Sequence, residues 1–380
     1  MEYKNGYSRL GFGCMRLPSN FEQAQALVLA AIQGGINYFD TAYTYPGNEA
    51  LLGKILAKNG CRDSIMIATK LPVYLVKTAE DIDWFFNTEL ERLQTDHVDN
   101  YLMHMLPDVS VWNRMKSLGI ETWIAEKKAA GQIRRIGFSF HGSTELFCPL
   151  VDAYDWDFCQ IQYNYLDEHS QAGKKGLDYA AAKGLDVIIM EPLRGGSLTD
   201  GLCREAKAVF AGTGKSPASW ALNWLYVQPE VTCVLSGMKT PEVLAENLEN
   251  VSNPTPFTEA DYEVIERARR AINAGSRIAC TGCRYCMPCP RGVDIPGCFS
   301  CYNVSYGDGY VRGLREYVMN TSLKAIRSNA SLCVKCGKCE GHCPQHLPIR
   351  ENLTLVKKRF ENPVYKVAVA VSRGMFKGDE

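Results

Sequence analysis

The sequence predicts an α/β fold: a closed (β/α)8 barrel of parallel strands, that is, a TIM barrel, followed by a small cysteine-rich module. Three observations lead there. Eight short runs rich in β-branched or aromatic residues alternate with segments of helical period over the first 275 residues. Those runs are apolar almost throughout, as in IMIAT and DVIIM, the pattern of strands covered by helices on both faces. Ten of the 16 cysteines fall between 280 and 343, so the chain changes character near residue 275.

Taken in order, the strand-like runs are RLGFGCM (9–15), INYFDT (36–41), SIMIATK (64–70), VDNYLMH (98–104), IRRIGFSF (133–140), FCQIQYN (158–164), DVIIME (186–191) and VTCVLSG (231–237). Helical periodicity falls between them at 22–33, 49–58, 79–93, 120–130, 173–183 and 217–226. Several of these segments end at a glycine able to take the left-handed conformation that stops a helix. Parallel neighbours need a crossover element, so eight such units argue for a closed barrel, with an open doubly wound sheet as the fallback. A glycine-rich dinucleotide turn is not present after the first strand. The nearest string, Gly11-Phe12-Gly13, stops short, which counts against a Rossmann site.

A chain of 380 residues accommodates one barrel of about 250 residues plus a module. We place the barrel at 1–275 and the second domain at 276–380. The 42 basic and 42 acidic residues are well mixed, with net charge +0, so there is no basic stripe for a phosphate backbone and nucleic acid is not expected as a partner. No apolar leader core or bilayer-length segment is evident, which implies no membrane and a soluble cytoplasmic protein. In that compartment clustered cysteines serve metal or catalytic chemistry rather than disulfides.

Chemistry-bearing residues recur at the ends of the strand runs. Asp40 closes INYFD, Tyr45 lies five residues on, Lys70 closes IMIATK and His104 closes NYLMH. Taken singly, each reads as a capping or core polar residue. Three successive strand ends, however, deliver all four to one barrel mouth, where barrel enzymes keep their chemistry.

These motifs resemble the aldo-keto reductase superfamily: FDTAYTYPGNE, ATK and YLMH occur in its order, and the similarity continues through GFS, QIQYN, EPLRGG and LSGMKTPEVLAENL to about residue 250. The resemblance implies reduction of a small-molecule carbonyl, an aldehyde or ketone, with hydride from NADPH or NADH. Tyr45 would be the general acid, and its phenol, ordinarily of pKa ~10, would be eased toward neutrality by the Lys70 charge. Asp40 would hold Lys70, and His104 would orient the carbonyl. By the same resemblance Ser139 and Gln160 match carboxamide-binding positions, Met190 a ring-stacking position, Asn247 a position near the adenine end, and Gly237 opens the loop before it. Phe140 stands where many members have asparagine, and Lys239 is the sole cation of the 237–243 loop, so the choice between NADPH and NADH stays open. Tyr74, Trp112 and the stretch after Tyr165 are candidates for the substrate pocket.

The cysteines give a second motif. Cys333, Cys336, Cys339 and Cys343-Pro344 follow the bacterial ferredoxin spacing, in which the fourth cysteine ligates the other cluster of a pair. Cys280, Cys283, Cys286 and Cys289-Pro290 repeat it one residue short. That resemblance implies two 4Fe-4S clusters with crossed ligation: Cys280, Cys283, Cys286 and Cys343 for one, and Cys333, Cys336, Cys339 and Cys289 for the other. Zinc knuckles are the competing reading, and Cys298 and Cys301 read as packed thiols or substitute ligands. His342 and His346 read as exposed loop residues.

The leading reading is thus a nicotinamide-dependent carbonyl reductase with an appended ferredoxin-like domain. The alternative is an iron-sulfur electron-transfer or redox-sensing protein whose barrel binds the nucleotide with little turnover. Hydride is a two-electron currency and clusters move one electron at a time, which leaves room for a separate one-electron redox partner.

Overall fold

The computed structural model describes residues 1–252, 254–322 and 327–363, together with Tyr365 and Val369. Its first compact unit comprises Met1–Leu193 and Ala218–Phe257. Eight parallel strands, β1 (Leu10–Gly13), β2 (Tyr38–Asp40), β3 (Met66–Leu71), β4 (Val98–Met103), β5 (Ile133–Phe140), β6 (Phe158–Gln162), β7 (Asp186–Met190) and β8 (Val231–Ser236), close into a barrel in which β8 pairs back onto β1. The expected (β/α)8 barrel is therefore present, with each strand inside or within a residue of its expected run.

Helices cross between the strands: α1 (Phe21–Gln33), α2 (Asn48–Asn59), α3 (Ala79–Leu93), α4 (Val109–Ser117), α5 (Ile120–Ala129), α6 (Thr144–Val151), α7 (Gly173–Ala182), α8 (Arg204–Ala211), α9 (Pro217–Tyr226) and α10 (Pro241–Ser252). Local chemistry sets their starts. The Asn20 side chain accepts from Gln23 N at 3.0 Å before α1, Thr78 and Asp81 form a capping box on α3, and Asp108 accepts from Ser110 N and Val111 N before α4, each satisfying amides that have no partner in the first turn. The helical periodicity picks out neither α4 nor α6. The first has nine residues, and the second has eight with Pro149 inside, so neither offers enough turns to show a clean period. Gly53 is required by packing, since a Cβ there would lie 2.5 Å from the Arg92 carbonyl oxygen where α2 meets α3.

The barrel interior is filled. Tyr38, Ala68, Leu102, Phe158, Ile188, Cys233 and Leu235 pack with Tyr7, which belongs to a two-stranded N-terminal hairpin, Tyr3–Lys4 with Tyr7–Ser8. The Tyr7 hydroxyl accepts from Asn100 Nδ2 and from Arg135 Nη1, both at 2.7 Å. Arg135 in turn pairs with Asp186 at 2.6 Å. This network joins residues at or near the starts of β4, β5 and β7 and leaves the opposite rim for other work. Register sets that rim: Gly13 pairs with Asp40, Lys70 with Leu102, Ser139 with Gln160, and Gln162 with Met190.

The second unit comprises Arg194–Pro217 and residues from Thr258 onward and so takes in α11 (Glu259–Gly275), whereas the sequence places the boundary at 275. Besides α8 and α11 it contains α12 (Ile295–Gly307), α13 (Tyr310–Tyr317) and α14 (Ile349–Phe360). Its core includes Val293, Cys298, Phe299, Val356 and the stacked rings of Tyr317 and Phe360, whose centroids lie 4.7 Å apart. Among the described residues no helix is long and apolar enough to cross a membrane.

Candidate active site and cysteine loops

Strand ends deliver the candidate residues to one place. Asp40 is the last residue of β2 and is 3% exposed, Lys70 lies one residue before the end of β3 and is 1% exposed, and His104 directly follows β4. Tyr45 sits in the turn after β2, where its N–H donates to Ala42 O at 3.0 Å and its carbonyl accepts from Asn48 N at 3.2 Å. Lys70 Nζ donates to Asp40 Oδ1 at 2.8 Å, Asp40 Oδ2 at 2.7 Å and the Thr41 carbonyl at 2.5 Å. The side chain has three donors, and these contacts place the charge rather than leave it mobile. The charge sits 5.3 Å from the centroid of the Tyr45 ring. That ring stands edge-on to the imidazole of His104, with centroids 6.2 Å apart and planes at 87°.

Burial shapes the electrostatics. It pushes the Asp40 carboxyl up, against the opposing pull of the Lys70 charge and a hydrogen bond from Gln160. It also drives the His104 imidazole well below its ordinary 6.5, and repulsion from Lys70 and His141 adds to the effect, so the ring is neutral at neutral pH. The sign of the linkage follows: the unfolded chain takes up this proton before the folded one does. Stability is therefore lost as pH falls below about 6.5, by up to ~1.4 kcal/mol per pH unit from this group. Urea unfolding of wild type and His104→Gln between about pH 5 and 8 is expected to show a shallower acid-side decline in the variant. Parallel declines would rule out a buried neutral imidazole.

Around the mouth lie the cofactor candidates. Ser139 and Gln160 are register partners on β5 and β6. The Ser139 hydroxyl oxygen accepts from Met105 N at 2.8 Å, which leaves its proton to donate elsewhere. Gln160 is 2% exposed, and its Oε1 has no hydrogen-bond partner among the described residues. Its Nε2 lies 3.8 Å from Met190 Sδ, at the end of β7. A buried acceptor without a partner is costly, and an incoming amide N–H would relieve it, so Gln160 fits a carboxamide-bearing cofactor. Asn247 on α10 is 1% exposed and donates to Ser236 Oγ at 2.7 Å, and its Oδ1 likewise has no partner among the described residues. Gly237 directly follows β8. Asp40, Tyr45, Lys70, His104, Gln160 and Met190 are thus linked through contacts, whereas Asn247 and Gly237 stand with Ser236 beside β8.

Of the pocket candidates, Trp112 is corrected by the structure. It is fully buried against Tyr154 and Trp156 because α4 turns its apolar face inward, and Tyr165 is equally buried. Tyr74 is 48% exposed with its ring 6.3 Å from that of His104. Sequence reasoning missed the Thr41 carbonyl, since every residue has one, and it missed His141, which lies just past the end of β5.

In the second unit Cys280, Cys283, Cys286 and Cys343 line one pocket. Cys343 is within electrostatic range of Cys280 and Cys286, while Cys339 is within range of Cys333 and of Cys289. The two runs share a backbone form invisible in their spacing. Residues 282 and 284 of one and 335 and 337 of the other all have positive φ, and in each the third residue's N–H points at the first thiol, Gly282 to Cys280 and Lys335 to Cys333, both at 3.4 Å. The missing residue in the first run lies after Cys286 and leaves this loop intact. Among the described residues no three His, Cys, Asp or Glu side chains close tightly enough on one point to chelate a single ion. Cys298 and Cys301 are buried in the core at 0% and 2% exposure, and His342 and His346 are exposed.

Comparison with known proteins agrees with both halves. Residues 9–270 match the Aldo/keto reductase family, and residues 279–347 match a 4Fe-4S dicluster domain. An aldo-keto reductase of Mycolicibacterium vanbaalenii is 30% identical over 230 residues, spanning 60% of this chain and 77% of the relative. L-galactose dehydrogenase of Arabidopsis thaliana is 29% identical over 272 residues, spanning 64% and 84%. Among solved structures, the holo form of an aldo-keto reductase from Bacillus halodurans superposes with a TM-score of 0.59 at 24% identity, over 70% of this chain and 93% of that one, a likeness that bears on the fold.

Proposed function

We propose, on the premise that the chain belongs to the aldo/keto reductase family, that it reduces the carbonyl of a small aldehyde or ketone with NADPH or NADH. The reductase would occupy 1–275, and 276–380 would form a ferredoxin-like domain with two 4Fe-4S clusters. One observation carries this reading: the Lys70 charge, anchored 2.7 Å from Asp40, lies 5.3 Å from the Tyr45 ring. A bound nicotinamide supplies hydride to the carbonyl carbon, and the remaining steps belong to side chains. Tyr45 donates its phenolic proton to the carbonyl oxygen as negative charge develops there. Lys70 stabilises the phenolate left behind, and Asp40 keeps Lys70 from drifting out of reach. His104, neutral and rigid in its buried site, presents a ring N–H to the same oxygen and fixes its approach. Ser139 and Gln160 would hold the carboxamide of the cofactor, Met190 would stack on its ring, and Gly237 and Asn247 would hold the far end. Carbonyl-dependent oxidation of NADPH or NADH by the purified chain, tested on simple aldehydes and ketones, checks this reading. Nucleotide binding without turnover would support the alternative electron-transfer reading.

For the second domain, the grouping of Cys343 with Cys280, Cys283 and Cys286, and of Cys339 with Cys333 and Cys289, supports two cubanes, the second of which Cys336 would complete. Protein purified without oxygen is expected to contain about eight irons per chain and a broad absorbance that dithionite bleaches. About four irons would limit occupancy to one site, and zinc in place of iron would reject clusters altogether.

A further inference from the structure

The eight clustered cysteines are not equally accessible. Cys336 is the exposed one, while the other seven are partly covered. Six of those seven, all but Cys283, pack against the core of the second unit. Beside Cys336, Val334 is 57% exposed, a large apolar side chain facing water. Lys335 and Lys338 flank Cys336 and are both exposed. Acidic residues do not offset them. The sole acid between 331 and 350 is Glu340, and Arg350 holds it through Nε at 2.8 Å and Nη2 at 2.7 Å.

We infer that the loop around Cys336 is the port through which the second cluster exchanges electrons with a small acidic one-electron carrier protein, docked on Lys335 and Lys338 with Val334 beside them in the contact. The inference rests on the cluster reading above. One-electron carriers meet their partners through small, weak interfaces whose rates depend on charge steering more than on buried area. An exposed ligand loop, one exposed apolar side chain and two exposed lysines on either side of Cys336 supply what such an encounter needs. The step is an electron transfer alone. The carrier's reduced centre loses one electron, the cluster gains it, no bond forms or breaks and no proton moves. With the carrier oxidised the same port runs in reverse.

The test uses the full-length protein purified anaerobically, with a reduced 2Fe-2S ferredoxin of net negative charge as the carrier and the methyl viologen radical cation as a reductant that cannot use the port's charges. Iron content and bleaching by dithionite are measured first. Absence of bleachable iron would overturn the cluster reading itself, which separates that failure from failure of the port. In stopped flow, reduction of wild type by the ferredoxin is expected to slow at least ~10-fold from low to high salt. The double variant Lys335→Glu, Lys338→Glu is expected to be at least ~10-fold slower than wild type at low salt. It should keep full iron content, carbonyl reduction and reduction by methyl viologen, and Lys335→Arg with Lys338→Arg should keep the wild-type rate. A wild-type rate indifferent to salt, or equal ferredoxin rates in wild type and the Glu variant, would overturn the port. If the Glu variant loses iron, the wild-type salt dependence decides alone.

Discussion

Replacing Tyr45 by phenylalanine is expected to lower carbonyl turnover at least ~10²-fold, the usual consequence of losing a positioned proton donor, while affinity for the nicotinamide nucleotide stays within about twofold. The reason for the asymmetry is positional. The ring of Tyr45 packs edge-on to His104 and faces the Lys70 charge, and phenylalanine keeps that ring and its packing. Only the hydroxyl is removed. The nucleotide candidates Ser139, Gln160 and Met190 lie on strands β5 to β7, whereas Tyr45 lies in the turn after β2. Steady-state kinetics with fluorescence titration of the nucleotide separates the two quantities. Unchanged turnover would remove Tyr45 from the chemistry, and a matching loss of nucleotide affinity would show that the substitution disturbed the whole mouth.

Lys70→Met is expected to remove turnover as thoroughly and, unlike the tyrosine variant, to destabilise the fold. The Lys70 and Asp40 side chains are 1% and 5% exposed. Deleting one member of a buried pair strands the other charge without a partner, at a cost of about 3–5 kcal/mol. Burial already pushes the Asp40 carboxyl up, so part of that cost is avoided by proton uptake, and the loss should shrink at acid pH. The double variant Asp40→Asn, Lys70→Met is the informative control. It should recover most of the stability, because no lone charge remains, and none of the turnover, because nothing stabilises the phenolate. Recovery of both would make the pair a structural brace alone. Chemical denaturation and turnover on the same preparations distinguish these outcomes.

Much of the architecture was legible in the sequence because a parallel barrel leaves a redundant signature. IMIAT and DVIIM are apolar on both faces, and strand and helix alternate through eight units, so a register error in one unit is corrected by its neighbours. The candidate rim was readable only jointly: Asp40, Lys70 and His104 each have an ordinary structural explanation, and it is their recurrence at three successive strand ends that points to one mouth. Short crossovers were less visible. The Pro149 inside α6 and the nine residues of α4 leave too little period to read. Backbone groups were invisible in principle, as the Thr41 carbonyl on Lys70 shows, because no residue type marks them. Trp112 misled for the opposite reason. A tryptophan after a barrel strand suits a pocket wall and a core equally, and only its contacts with Tyr154 and Trp156 decide. The paired left-handed positions at 282 and 284, and at 335 and 337, lay beyond spacing rules, since Arg284 and Lys335 are not residues that announce such a conformation.

The measurement that tests the central claim most directly is the fate of the transferred hydrogen. With the dihydropyridine deuterated at both C4 positions, an anaerobic single turnover on an aldehyde or ketone is expected to place deuterium on the carbinol carbon, to show a primary isotope effect, and to leave the cluster absorbance unbleached during turnover. Deuterium released to solvent while the clusters bleach would contradict the account, because the electrons would then have passed through iron rather than moved as hydride beside Tyr45 and Lys70.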